Sequence, residues 1–414
     1  MSEYYDLHEL YKLGLDGKRQ QSVKRRKGFE LLWLPVLARI EVVRSMDIDE
    51  IMKLSMCSRR MEGMIRYTKV KSKKIEFQVN INNSILQIES FDEKVYHCSP
   101  DQLENGSIYF SLSRWIDRNS TSFRNCVAIL KYLQSMISFK SLGLHVNFEG
   151  MTVEFIKEIL TEPSLRDFKS LCLEKGVIDT KCLDLVMKTA QSNRSLHIKG
   201  TKIPRGYNHE NAFKFHDIYC DDAVWVRIEH LFTLKDCYKV SLRRHKLSCS
   251  DVNTYIKFWV ESDHDMVLTL SLKLALDFQS EGMFDGIFVL QGRRKGLIAY
   301  LVAANPTKQR KHQIMGVAWY HETLRLFSWD KNEPLRFGGE VYAESWAPEY
   351  KVLMALNKNK KLEGELERIQ NSLEINQDQN VIEKKNEISR DLQNVSQELA
   401  GYNLVFRDGF YIYS

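Results

Sequence analysis

The sequence has no long hydrophobic run. Nothing approaches the roughly 18 apolar residues of a membrane-spanning helix, and the longest candidates, Gly286 to Gln291 and Leu297 to Ala304, are strand-sized. Paired cysteines are missing too. The eight present, Cys57, Cys98, Cys126, Cys172, Cys182, Cys220, Cys237 and Cys249, fall at no paired spacing, and Met1 to Gly14 is polar and acidic, unlike a secretory leader. The expectation is a reduced, intracellular protein of the cytoplasm, the nucleus or both. Charge is not concentrated: the formal net charge of +6 and pI near 8.7 are mild beside the field needed to neutralise nucleic-acid phosphates. Neither nucleic acid nor membrane is expected as a partner.

Catalytic signatures are also absent. The chain carries no Gly-x-Gly-x-x-Gly, Gly-x-x-x-x-Gly-Lys-Ser/Thr, His-Glu-x-x-His or Gly-x-Ser-x-Gly, so the common phosphate cradles, zinc sites and nucleophile elbows lack support. No catalytic residue, metal ligand or cofactor is expected. His197, His216, Cys220 and His230 are the nearest thing to a metal set, and their irregular spacing reads more simply as buried or surface side chains.

What is present is an ordinary globular composition in 414 residues, enough for two or three domains or one elongated repeat domain. Residues 1–28 form a tail ending in the basic cluster Lys24-Arg25-Arg26-Lys27, which reads as a solvated linker, with a nuclear-import signal or phosphate contact as alternatives. Polarity then changes at Phe29-Glu30-Leu31-Leu32-Trp33-Leu34-Pro35. Pro35 pre-sets a first helical turn, followed by Val36, Leu37, Ile40 and Val43 at helical spacing. Asp47 and Glu50 make a capping box for a second helix carrying Ile48, Ile51, Met52 and Leu54, and Ser58 caps a third with Met61, Met64 and Ile65. Three helices in about 40 residues bury little surface alone, so such a module needs a partner or a neighbouring domain.

Lys74 to Glu89 alternates as a strand pair turned at Asn82-Asn83, and a helix follows from Ser122 to Ile137. Phe139-Lys140-Ser141-Leu142-Gly143-Leu144 then returns as Phe168-Lys169-Ser170-Leu171-Cys172-Leu173. Each copy precedes an amphipathic helix, Val153 to Leu160 and Lys181 to Gln191. Further strands are expected at Ser195 to Ile198, Lys239 to Leu242 and Leu268 to Leu272, separated by helices at Asp221 to Thr233 and Ser250 to Trp259. This resembles a degenerate leucine-rich-repeat array without its asparagine ladder. Gly286 to Ser345 is β-rich and closes the array, residues 356–400 form a charged helical hairpin, and residues 401–414 end in a short strand pair.

The fold expected is α+β or α/β: an N-terminal three-helix module (29–70), a repeat-like domain (71–355), a helical-hairpin insertion (356–400) and a closing strand pair (401–414).

Phe29 to Pro35, Met46-Asp47 and Leu54-Ser55-Met56-Cys57-Ser58-Arg59-Arg60 resemble the F-box, and look most like the nematode F-box proteins that carry an F-box-associated domain of the second type. Trp225-Val226, Glu229-His230-Leu231, Asp251-Val252-Asn253, Ile256 to Val260 and Arg407-Asp408-Gly409 resemble that associated domain in patches. The charged segment Leu356 to Ala400 departs from the family pattern. The resemblance implies that Leu34, Pro35, Leu37, Ile40 and Val43 engage a Skp-type adaptor, and through it cullin and RING subunits, while Ile51 and Leu54 serve the module's own core. Such a subunit selects a protein target for ubiquitination and supplies no chemistry itself. Target contacts are expected on the strand row, at His145, Glu174, Lys199 and Arg243. A repeat protein that binds a partner without any ligase stays open as an alternative, and an enzyme built in Gly286 to Ser345 is a more distant one.

Overall fold

The structure, a computed structural model of the chain, describes residues 31–99, 116–274, 281–294, 297–337, 340–342, 345–375, 379–407 and 410–413. The tail 1–28, with its basic cluster, and Phe29-Glu30 lie outside the described residues. Two compact units divide between Thr68 and Lys69.

In the first unit a short 3-10 turn, Leu31–Trp33, leads into helices α1 (Val36–Arg44), α2 (Ile48–Cys57) and α3 (Arg59–Thr68). Each starts where its cap places it. Pro35 sits at φ −53° and ψ 148°, and its carbonyl accepts the Arg39 N–H at 3.0 Å. The Asp47 N–H donates to Glu50 Oε2 at 3.0 Å, closing one side of the capping box. Ser58 Oγ accepts the Met61 N–H at 3.2 Å. The buried apolar side chains are few: Leu31, Val43, Ile48, Ile51, Met52 and Ile65.

The second unit is mixed α/β around one fifteen-stranded sheet. Strands β1 (Val70–Val79), β2 (Ser84–Glu89) and β3 (Val95–Cys98) are antiparallel at one edge. Helix α4 (Ser122–Met136), capped by Thr121, then delivers the chain to β4 (Ile137–Asn147), which pairs parallel with β1. Parallel strands follow at β5 (Ser170–Glu174), β6 (Ser195–Lys199), β7 (Asp217–Cys220), β8 (Cys237–Leu242) and β9 (Val267–Lys273). Between them lie α5 (Val153–Thr161), α6 (Thr180–Met187), the five-residue α7 (Ile228–Phe232) and α8 (Cys249–Glu261). Parallel strands need such crossovers.

One register row carries the core. Phe77 pairs with Leu144, then Leu171, Leu196, Ile218, Val240, Leu270, Leu326 and Val317 across nine strands, every one of them at most 2% exposed. Helices cover this face: Phe77 stacks on Phe123 of α4 at 5.7 Å, and Phe155 of α5 meets Phe123 edge-on at 5.5 Å.

Three expectations need correction. The helix expected over Asp221 to Thr233 is confined to Ile228–Phe232, because the Ala223 N–H is taken by the Arg243 carbonyl at 2.9 Å and Trp225 and Val226 are buried in a turn. A strand at Asp217–Cys220 stands where none was expected. The β-rich segment does not close off the array as a separate cap: β10 (Leu290–Arg294), β11 (Leu297–Ala303), β12 (Ile314–Tyr320) and β13 (Thr323–Trp329) join the same sheet through antiparallel pairing of β13 with β9. A small separate hairpin, β14 (Leu335–Phe337) with β15 (Glu340–Tyr342), follows.

The helical hairpin is present as α9 (Ala347–Ile375) and α10 (Gln379–Ala400), beginning nine residues before the expected Leu356. That extra stretch is its apolar part. Trp346, Val352, Leu353 and Leu356 pack on Leu290, Ala299, Leu301, Ala303, Ile314, Ala318, Phe327 and Trp329. Gly316 makes room, since a Cβ there would lie 2.7 Å from the Phe327 ring. The closing strands β16 (Leu404–Arg407) and β17 (Phe410–Tyr413) are also sheet members, β17 pairing parallel with β10. The turn at Asp408-Gly409 lies outside the described residues. Among the described residues no helix is long and apolar enough to cross a membrane.

Candidate functional site

Two surfaces stand out, one in each unit. In the first unit the apolar residues around the start of α1 separate into two sets. Val43 is fully buried and belongs to the packing of the three helices. Trp33, Val36 and Leu37 are 83%, 50% and 78% exposed, Pro35 is exposed, and Leu34 and Ile40 are half-buried. Val36, Leu37 and Ile40 lie in the first turns of α1 and Trp33 in the 3-10 turn before it, so the exposed apolar side chains are grouped along the chain at the start of α1. Of the five adaptor-facing positions expected, Leu34, Pro35, Leu37 and Ile40 border solvent, whereas Val43 is fully buried and is not open to a partner. Trp33 and Val36 were not among the expected adaptor contacts, since their apolar character alone gave no sign of which side chains the module leaves exposed.

In the second unit the strand face opposite the buried row is polar. Successive side chains along a strand alternate faces, so beside Leu144, Leu171, Leu196, Ile218 and Val240 runs the row His145, Cys172, His197, Tyr219 and Ser241, continuing to Ser271 and Arg325. Glu174 pairs with Lys199 in a neighbouring row. All four expected contact positions, His145, Glu174, Lys199 and Arg243, lie on these strands or at their ends and are at least partly exposed. Over β10 to β13 the same face turns apolar, and there α9 covers it.

Two clusters organise the polar face. In the first, His145 Nε2 lies 3.4 Å from Glu76 Oε1 and its Nδ1 lies 3.5 Å from Glu174 Oε1, while the Cys172 thiol donates to Glu174 Oε1 at 3.4 Å. Lys74 closes on Glu76 from the same strand. The hydrogen bond from His145 holds the Glu76 carboxyl at about 2, against burial and with help from Lys74. Burial pushes the Cys172 thiol up to about 12, with Lys199 opposing and Glu174 and Glu76 adding to the rise. In the second cluster, the Tyr219 hydroxyl donates to Asp221 Oδ1 at 2.7 Å, and Arg243 Nη1 reaches Tyr219 Oη at 3.2 Å and Asp221 Oδ1 at 3.3 Å. Burial raises the Asp221 carboxyl, but the bonds from Tyr219 and Arg243 outweigh it and hold it below the usual range. His197 stands between the clusters, edge-on to Tyr219 at 6.1 Å, and its burial lowers its pKa against the pull of Asp217, 4.0 Å away.

The four residues nearest to a metal set in sequence do not converge. His197 lies on the polar face and Cys220 on the buried one. His216 stacks on Tyr238 at 5.4 Å. His230 is buried, with Nε2 3.0 Å from Asn208 Oδ1 and Nδ1 accepting the Arg227 N–H at 3.0 Å. Near the β-rich segment, a groove of about 660 Å³ is lined by Asn305, Tyr350, Lys351, Lys358 and Lys361 with one carboxylate, Glu398. It joins no nucleophile to a base.

The chain is similar to the uncharacterized protein F59B2.9 of Caenorhabditis elegans, with 20% identity over 274 residues, 61% of this chain and 63% of that protein. It thus spans less than two thirds of the length of this relative. No family model matches the chain, and no solved structure matches it.

Proposed function

We propose that the chain is a substrate-recognition subunit of a Skp/cullin/F-box type ubiquitin ligase. The observation that carries this reading is the exposure of the apolar residues Trp33, Val36 and Leu37 on either side of Leu34-Pro35, at the start of a three-helix module. Large apolar side chains left in water at one patch mark an interaction surface. The resemblance of the segments between Phe29 and Arg60 to the F-box supplies the occupant, a Skp-type adaptor with cullin and RING subunits behind it. The nematode source of the relative agrees with the lineage of that resemblance.

The target side of the reading rests on the polar face of the second unit. Its parallel strands step by 27, 25, 22, 22 and 30 residues, from Leu144 through Leu171, Leu196, Ile218 and Val240 to Leu270, which supports a repeat-like, leucine-rich-repeat-type description. The partly exposed His145, Glu174, Lys199 and Arg243 on such a face suit a protein target bound by polar contacts. The subunit needs no chemistry of its own: holding a target beside a loaded conjugating enzyme raises its effective concentration.

Co-purification of the tagged full chain with a Skp-type adaptor tests this. The wild type is expected to carry the adaptor, and a Leu34→Ala, Pro35→Ala double variant is expected to lose it. A partner recovered through the second unit with no adaptor in either preparation would replace the ligase reading with that of a non-ligase interaction scaffold.

A further inference from the structure

We propose that His145, Cys172 and Glu174 form a three-ligand site for a zinc-type divalent transition-metal ion, and that Glu76 orients the histidine as its outer-sphere carboxylate. The inference stands apart from the ligase reading and uses different residues from those around α1.

Two of the ligand-atom separations match those of a tetrahedral site. Metal–ligand bonds of about 2.0 to 2.3 Å put neighbouring ligand atoms about 3.3 to 3.8 Å apart in a tetrahedron. Here Cys172 Sγ lies 3.4 Å from Glu174 Oε1, and His145 Nδ1 lies 3.5 Å from the same oxygen. The three ligand atoms lie within 4.8 Å of one another. The opposite ring nitrogen, Nε2, faces Glu76 Oε1 at 3.4 Å, the carboxylate–histidine arrangement that fixes the tautomer of a metal-bound imidazole. Lys74 is engaged with Glu76 and thereby holds the outer carboxylate in place.

Donor type selects the ion. One thiolate, one imidazole and one carboxylate suit zinc over magnesium or calcium, which prefer oxygen alone. Burial is graded across the set: Cys172 is 3% exposed, the His145 side chain 21% and the Glu174 side chain 40%. An ion thus enters over Glu174 and His145, and its fourth position stays with water on the solvent side, as in an open site. His197, next in the row, is directed to Asp217 and is not a ligand.

Coordination carries a proton balance. As the Cys172 sulfur–metal bond forms, the S–H bond breaks and its proton passes to the buffer.

The test uses the full chain stripped with a chelator, titrated with zinc by calorimetry in two buffers of different ionisation enthalpy and with cobalt(II) by absorption. One equivalent is expected to bind, with release of one proton and a thiolate-to-cobalt charge-transfer band. Cys172→Ser should abolish the band, and Glu174→Gln should weaken binding strongly if the serine variant fails to fold. Glu76→Gln should keep the band and lose about 10- to 100-fold in affinity. A Cys57→Ser, Cys249→Ser double variant, which removes the two cysteines that are not buried, should bind as wild type. Absence of binding, a band that survives Cys172→Ser, or wild-type affinity in Glu174→Gln would overturn the site, and unchanged affinity in Glu76→Gln would overturn its orienting role.

Discussion

His145 Nδ1 and Glu174 Oε1 lie 3.5 Å apart, yet neither is the other's register partner: His145 pairs with Cys172, and Glu174 pairs with Asn147. The contact is diagonal. The two residues are 29 apart in sequence, the offset at which Phe139 recurs as Phe168, but the strands pair two residues short of it, Leu144 against Leu171. An even shift keeps every side chain on its own face, so the repeat is readable in sequence while its register is not. Diagonal neighbours on a sheet stay within reach of long side chains, and His145 is thereby held between Glu174 and Glu76.

The Glu76 carboxyl should make stability depend on acid. Its folded-state value near 2, below the ordinary 4.5, means that its contribution is present in full above about pH 5 and is lost as pH falls toward about 2. Lys74, His145, Cys172 and Glu174 surround it. At about 1.4 kcal/mol per unit the upper limit is about 3 kcal/mol, reduced by its partial exposure. In denaturant titrations the gap between wild type and Glu76→Gln should be about 1 to 2 kcal/mol at neutral pH, should narrow below about pH 4.5 and should close only as pH falls to about 2. A gap independent of pH would contradict this.

Glycine-to-alanine changes should have opposite signs at two sites. At Gly316 the new methyl would stand 2.7 Å from Phe327 and 3.1 Å from Trp329, in the core under α9, and a cost of about 1 to 3 kcal/mol is expected. At Gly364, inside α9 with nothing within 4 Å, alanine should stabilise by about 0.5 to 1 kcal/mol. Urea midpoints of the two variants measure both.

The two sets of apolar residues in α1 should separate stability from binding. Val43→Ala opens a cavity at a fully buried site and should cost about 1 to 3 kcal/mol. Leu37→Ala, at a position 78% exposed, should leave the thermal midpoint nearly unchanged and weaken adaptor binding, by about 1 to 2 kcal/mol for a central contact. A strong loss of stability in Leu37→Ala would assign that side chain to the fold.

The legible parts of the chain were those whose signals are local. Each of the three N-terminal helices announces itself by Pro35, by Asp47 with Glu50, or by Ser58. The strands that carry Leu144, Leu173 and Ile198 show their alternation. Asp217–Cys220 was not legible because four residues, of which two face inward, give too short a pattern. Joining of the β-rich segment to the sheet was hidden because β9 pairs with β13 across three intervening strands. The role of Glu76 was hidden for the same reason, since its neighbours His145 and Cys172 come from strands far along the chain. The hairpin was read from its charged heptads, so its apolar opening turns, Trp346 to Leu356, were missed.

The most direct measurement is a titration of the purified full chain with a purified Skp-type adaptor, wild type beside Leu37→Asp, with circular dichroism to establish that both are folded. A one-to-one complex is expected for wild type, weakened about tenfold or more, at least about 1.4 kcal/mol, in the variant. No complex with the wild type, or equal affinity in the two proteins, would contradict the account.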